Sequence, residues 1–208
     1  MITPSKNCSL CPRLKNFRNE WRIKQPNWFN SPVKSYGSIS SKLLIVGLAP
    51  GLRGANKTGR PFTGDYAGKL LYPSLLTFSF AKGEYLEKKN DSLKLLNCRI
   101  TNSVRCVPPQ NKPTTFERNF CRKFLNSEIR NMQNLKIILA LGQVAHIEVL
   151  KTFDKKLSSY KFRHGAIYSL TKNICLFSSY HCSKYNTLTK RLTEQMFHEV
   201  IKKIRNKI

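Results

Sequence analysis

Acidic residues are scarce: 11 Asp and Glu face 37 Lys and Arg, for a net charge of +26 at pH 7. Such a shortage argues against a chain kept apart from polyanions. Nucleic acid is the first partner it suits and an anionic membrane surface the second, although compositional drift toward Lys, Asn and Ile accounts for part of the excess. No run approaches the ~18 apolar residues that a membrane-crossing helix needs, and the opening residues MITPSKNCSLCPRL hold no apolar leader core. The expectation is a cytoplasmic protein with no membrane partner. Repeats, low-complexity tracts and linkers are missing as well. The 208 residues therefore read as a single domain, 1–208, close to the usual range of ~100–200 residues. What is present suffices for a packed core: 40% of residues are hydrophobic and 11% aromatic, which excludes wholesale disorder.

Seven cysteines are many for a cytoplasmic chain, and their odd number disfavours a disulfide framework. Cys98 and Cys175 begin apolar runs and read as small core side chains. Cys8 and Cys11 form a CxxC, while Cys106 and Cys121 lie in polar or helix-edge surroundings. Four thiolates can close around zinc or hold an iron–sulfur cluster, but C-x14-C is not a zinc-ribbon spacing. Spacing alone leaves a metal site and scattered structural thiols both open. A thioredoxin-like redox role fits poorly, because the CxxC precedes the first strand instead of following one.

Short runs at 42–48, 97–104, 135–141 and 174–179, the first and third almost wholly apolar, predict four strands. Between them, helices are predicted from Asp65 onward, within 82–96, from Thr114 to about Met132 behind a Thr114/Glu117 capping box, over 142–154, and over 187–205. The last carries a stripe of Leu188, Leu192, Met196, Val200 and Ile204. Residues 160–170 read as a basic, extended segment. Alternation of buried strands with helices implies an α/β fold: a three-layer α/β/α sandwich on a central, mainly parallel four-stranded sheet. Ligands of open α/β sheets bind beyond the carboxyl ends of the strands. The loops there, 48–64, 103–113, 142–144 and 179–186, hold nearly every unusual residue.

The first of these loops is rich in Gly and Pro, so its backbone can approach a ligand and expose amide donors. It is neither a Walker A loop, lacking Gly-Lys-Ser/Thr, nor a GxGxxG. The stretch GLAPGLRGANKTGRPFTGD (47–65) resembles the first motif of the uracil-DNA glycosylase superfamily, specifically its family 5. Three further segments agree, in order: CSLCPRL (8–14), ITNSVRCVPPQNKPT (100–114) and SSYHCSKYN (178–186). Leu48 stands where the family 4 loop has Glu, which places the resemblance with family 5.

That resemblance implies a DNA repair enzyme, a monofunctional glycosylase that flips uracil, and in some members other deaminated bases, out of DNA and leaves an abasic site. It assigns Asp65 and His181 to catalysis. Gly47, Leu48, Ala49, Phe62 and Asn102 would bind the base, with Phe62 stacking and Asn102 reading the uracil edge. Lys184 and Tyr185 would enter the duplex as a wedge. Cys8, Cys11, Cys106 and Cys121 would hold a [4Fe–4S] cluster, with zinc second, in an N-terminal arm spanning 1–40. The partner would be uracil-containing DNA, duplex and also single-stranded, met by a monomer. Arg105, Lys112, Arg118, Lys123 and Arg163 are candidate phosphate contacts. Cys182 departs from the family, which has Pro after the His. A metal-stabilised, non-catalytic nucleic-acid-binding module is the alternative.

Overall fold

The structure is a computed structural model that describes residues 1–208. It is an α/β sandwich whose sheet has the strand order β4-β1-β5-β7-β6. The elements run α1 (Pro12–Lys24), β1 (Leu43–Gly47), α2 (Ala55–Thr58), α3 (Gly68–Thr77), β2 (Ala81–Lys82), β3 (Lys94–Leu95), β4 (Cys98–Asn102), α4 (Thr115–Asn131), β5 (Ile137–Leu141), α5 (Gln143–Thr152), β6 (Ile167–Ser169), β7 (Cys175–Ser179), α6 (Lys184–Leu188) and α7 (Glu194–Arg205). The four predicted strands are β4, β1, β5 and β7, all parallel. A fifth, β6, lies antiparallel on the edge beside β7, within the segment read as extended.

Continuous apolarity follows from burial on both faces. Leu43 and Ile45 of β1 pack with Leu71, Leu75, Phe197, Val200 and Ile204 of α3 and α7. Their neighbours Leu44 and Val46 pack with Leu125, Ile129 and Val149 of α4 and α5. Strand side chains alternate between faces, so each residue of β1 has a helix layer to meet.

Several expectations are corrected. Residues 82–96 are not helical: they form a loop closed by the antiparallel β2–β3 pair. Asp91 organises it, accepting the amides of Leu86 (3.0 Å) and Leu93 (3.2 Å) while its carboxylate grips buried Arg60 at 2.6 and 2.7 Å. The predicted 187–205 helix is two helices, α6 capped by Ser183 and α7 capped by Thr193. The break puts Leu188 outside the buried stripe, 66% exposed, whereas Leu192, Val200 and Ile204 are buried. α1 lacks a broad apolar face, burying only Leu14 and Arg18, and so gave no periodic signal. Arg105 and Arg118 are not free for phosphates: Arg105 pairs with buried Glu128, and Arg118 reaches Glu148 at 3.4 Å. No helix is long and apolar enough to cross a membrane.

Candidate active site and cysteine cavity

The carboxyl ends of β1, β4 and β7 open into a cleft of about 400 Å³. Leu48, Ala49, Phe62 and Asp65 line it from the loop after β1, Asn102 from the end of β4, and His181 and Lys184 from the loop after β7. All these predicted residues therefore meet in one place. Tyr66, Asn111 and Ser183 line it too and went unpredicted. Tyr66 and Ser183 directly adjoin predicted residues, which was the available signal.

Gly47 and Asn102 are paired neighbours in the parallel β1–β4 ladder. A methyl group on Gly47 would overlap Asn102 Oδ1 and the edge of the Phe62 ring, so glycine there lets the ring lie against the amide. Phe62 is buried, adopts φ +56°, and packs both in the core and on the cleft. The ring thus belongs both to the core and to the wall of the cleft. Its centroid lies 6.1 Å from that of His181, tilted by 34°. Asn102 is buried, and its Oδ1 has no hydrogen-bond partner. An unpaired buried acceptor is costly and marks a place where a ligand supplies the donor.

Asp65 does not cap α3, whose first flanking residue is Ala67 with no side-chain cap. Instead its carboxylate turns back into the glycine loop, where Oδ2 accepts the Ala55 amide at 3.2 Å. Methyl groups on Gly51 or Gly54 would overlap this carboxylate. The glycines therefore form a cradle shaped around it. Burial raises the Asp65 pKa above the ordinary carboxylate value, and the Ala55 and Gly51 amides oppose that shift. The result is a more basic carboxylate. Gly54→Ala is expected to leave the fold intact and to lower activity about as much as loss of the carboxylate itself. Circular dichroism with a rate measurement checks this, and an unimpaired rate would show that the cradle is dispensable.

Burial pushes the His181 pKa down to about 4. The imidazole is therefore neutral at physiological pH and can offer a hydrogen-bond donor without carrying a charge. The folded pKa lies below the unfolded value, so the stability at stake is present above about pH 6.5 and falls as pH drops toward 4. By NMR, the His181 ring is expected to show no titration between about pH 6 and 8; a midpoint near 6.5 would refute the neutral assignment. The loop is pinned by Asn186, whose Nδ2 donates to the His181 carbonyl at 2.9 Å. Cys182 is fully buried in the core, so packing anchors the loop there. Tyr185 stands 69% exposed beside the cleft, and Lys184 is also exposed.

The remaining histidines lie elsewhere. His146 is buried and satisfied by Ser178 Oγ (2.8 Å) and the Tyr160 carbonyl (2.7 Å).

Across α1, a second cavity of about 20 Å³ is lined by Cys8, Cys11, Cys106 and Cys121 together. All seven cysteines are unpaired. Arg18 Nη1 donates to Cys106 Sγ at 3.3 Å, and the Arg105 amide donates to Cys121 Sγ at 3.3 Å. Burial raises the Cys106 thiol pKa, and pushes that of Cys11 to about 11 and that of Cys121 to about 12. No group of three His, Cys, Asp or Glu side chains closes tightly enough to hold a single metal ion. Arg18 is nonetheless buried against this cavity, with the Cys8 carbonyl and the Cys106 sulfur as its partners and no carboxylate.

Comparison with known proteins agrees with this geometry. Residues 34–205 match the family model of the uracil DNA glycosylase superfamily. This chain belongs to the uracil-DNA glycosylase superfamily. Within it, the chain is similar to type-5 enzymes and, over less of its length, to type-4 enzymes. The type-5 uracil-DNA glycosylase of Thermus thermophilus is 41% identical over 201 residues, covering 93% of this chain and 90% of that protein. The type-5 enzyme of Mycobacterium bovis is 37% identical, covering 94% and 76%. That of Pyrobaculum aerophilum is 31% identical, covering 95% and 87%. The glycosylase match spans the glycine loop, Asn102 and His181, and all the cleft residues fall inside it.

Proposed function

We propose that this protein excises uracil from DNA by hydrolysing the N-glycosidic bond, and that the cleft is its active site. The observation that carries the reading is the buried, unpaired amide of Asn102 beside Phe62, with Asp65 and His181 on the same walls. A carboxamide offers a donor and an acceptor side by side, which matches the O4 and N3–H edge of uracil. The base reaches it only by leaving the duplex, at a cost of a few kcal/mol. Stacking on Phe62 and phosphate contacts from a surface of net charge +26 offset that cost. Tyr185, with Lys184 beside it, fills the vacated space.

Asp65 accepts a proton from water as the water oxygen bonds to the sugar carbon C1′. The bond from C1′ to the base breaks, and its electron pair leaves with uracil. Negative charge then gathers on the uracil O2 oxygen, where neutral His181 donates a hydrogen bond, with the Leu48 and Ala49 amides close to the same base. The carboxylate also faces the developing positive charge of the sugar. Lys184, the one lysine that lines the cleft, is exposed and belongs to the wedge in this reading, so water is taken as the nucleophile and an abasic site as the product.

The four cysteines fit a [4Fe–4S] cluster. All four line one small cavity, and four cysteine thiolates are the ligand set that such a cluster takes, with zinc as the second candidate. Buried Arg18 lacks an anion, and cluster thiolates supply one. The cluster would tie the 1–40 arm to the loop that follows Asn102 and act structurally. Seven unpaired cysteines suit a reducing, cytoplasmic setting, and the activity needs no second subunit.

The test is release of uracil from a duplex oligonucleotide by protein purified without oxygen. Strand cleavage is expected only after alkali, from a brown protein. No release by a DNA-binding, cluster-loaded protein would favour the binding-module alternative. Arg18→Met is expected to lower the cluster's visible absorbance per chain; full retention would show that Arg18 does not balance its charge.

A further inference from the structure

The segment before β6, Tyr160-Lys161-Phe162-Arg163-His164, interleaves aromatic and basic side chains. Tyr160, Lys161 and Phe162 line a pocket of about 470 Å³, together with buried His146 of α5, Tyr180 just after β7 and Arg191 between α6 and α7. No residue lines both this pocket and the cleft. The two are nonetheless neighbours on the carboxyl edge of the sheet, because Tyr180 directly precedes His181. Contacts within the protein fix the pocket walls. His146 bridges Ser178 Oγ at 2.8 Å and the Tyr160 carbonyl at 2.7 Å, tying the segment to β7. The Phe162 ring packs edge-on to His146, with centroids 5.5 Å apart. Tyr180 donates its amide to His164 Nδ1 at 3.2 Å, and its ring stacks with that imidazole at 5.2 Å. The Arg191 guanidinium lies 4.8 Å from the centroid of the Tyr180 ring.

The lining chemistry narrows what the pocket takes. Arg191 and Lys161 are exposed and join no ion pair, and no carboxylate lines the pocket. Tyr160 and Phe162 are only half-buried, so part of each ring stays open. Two unmatched cations call for an anion, and open rings beside them call for a flat partner to stack on. A nucleotide offers both in one unit. A bare anion would leave the rings unused, and an apolar ligand would leave the cations unmatched. The pocket's place favours a nucleotide of the bound DNA over a free one. In the uracil-excision reading, on which this inference rests, the strand passes His181 and Tyr185, and Arg191 lies in the chain that leads away from Tyr185. We infer that this pocket is a second nucleotide subsite, which takes a nucleotide flanking uracil in the same strand. The base stacks on Phe162, and its phosphate meets Arg191 and Lys161.

The experiment first reads the salt dependence of binding to undamaged single-stranded DNA by fluorescence anisotropy. Arg191→Gln is expected to reduce the slope of log K against log salt by about 0.7, the single-strand value for one phosphate. Phe162→Leu keeps an apolar side chain against His146 and Tyr180 but removes the stacking face. It is expected to weaken binding by about tenfold with the slope unchanged. The second readout is kcat/KM on uracil-containing strands shortened one nucleotide at a time from each end. The wild type is expected to lose about tenfold at a single step on one side, where the strand no longer reaches the pocket. Phe162→Leu is expected to show no such step and to match the wild type on strands that stop short of it. A smooth decline from both ends overturns the inference, as do variants that bind undamaged DNA like the wild type. Binding of a free deoxynucleoside monophosphate to the wild type but not to Phe162→Leu, without a length step, would overturn the strand assignment in favour of a free nucleotide. A wild type inactive on every uracil substrate would sink the excision reading, while binding to undamaged DNA would still decide the pocket.

Discussion

Asp65→Asn is expected to lower the single-turnover rate of uracil release by about 10²–10⁴-fold, the range that a positioned general base contributes, while leaving affinity for uracil-containing duplex nearly unchanged. Asparagine has the same shape, so the Gly51 and Gly54 cradle still accepts it and the Ala55 amide keeps an acceptor. What is lost is the charge and the basicity. Because burial raises the Asp65 pKa, the acid limb of the wild-type rate profile is expected above the ordinary carboxylate value of about 3.9. The rate falls as pH drops through that limb and the carboxylate takes up its proton. The variant lacks this limb. A residual rate within about tenfold of the wild type would remove Asp65 from the chemistry and return it to a loop-organising role.

The largest effect on stability is expected from Glu128→Gln. Glu128 lies buried on α4 and receives Arg99 Nε at 2.6 Å on one oxygen and Arg105 Nη2 on the other. Two buried guanidinium groups thus share one carboxylate, with Ser35 Oγ accepting from Arg105 Nη1 at 2.6 Å. Removing the charge leaves cations uncompensated in the interior, a change that costs about 3–5 kcal/mol. Burial pushes the Glu128 pKa up, but Arg105, Ser35 and Arg99 outweigh it and hold it below the usual range. A depressed carboxylate contributes stability above its unfolded pKa and loses it as pH falls through the folded value. Wild-type stability is therefore expected to decline below about pH 4.5, and Gln to flatten that part of the decline. Urea unfolding at pH 7 and pH 4 reads both effects. A loss under about 1 kcal/mol at pH 7 would mean that the guanidinium groups find other partners.

Arg105 also shows why sequence misjudged the basic residues. It sits in the Arg-Cys-Val-Pro-Pro segment between two expected functional positions, where a phosphate contact was a fair expectation. In the fold it is buried, paired with Glu128, and donates its amide to Cys121. Which of 37 cations face solvent is fixed by what packs over them, and local sequence does not carry that information. The same reason explains residues 82–96. Their charged pattern resembles a helix face, but Asp91 is committed to Arg60, thirty-one positions away.

By itself the sequence determined a great deal. Four short runs rich in apolar residues placed the four parallel strands because a strand buried on both faces meets mostly apolar neighbours, Arg99 and Asn102 of β4 being buried polar exceptions. Thr114 and Glu117 marked the start of α4 because a capping box is local chemistry, and both of its bonds are present. The ordered motifs brought Phe62, Asp65, Asn102 and His181 to one cleft because strand ends of a parallel sheet converge. Tertiary structure alone decided the rest. It set the antiparallel edge strand β6, whose short, half-exposed sequence carries no strong pattern. It turned Asp65 away from α3 into a glycine cradle built from residues 51 and 54. It left the Asn102 acceptor without a partner, and it gathered four thiols and the buried Arg18 and Arg105 around one cavity. Each of these depends on where distant segments come to rest. Periodicity and propensity act over a few residues, whereas the desolvation that raises Asp65 and lowers His181 is a property of the packed whole.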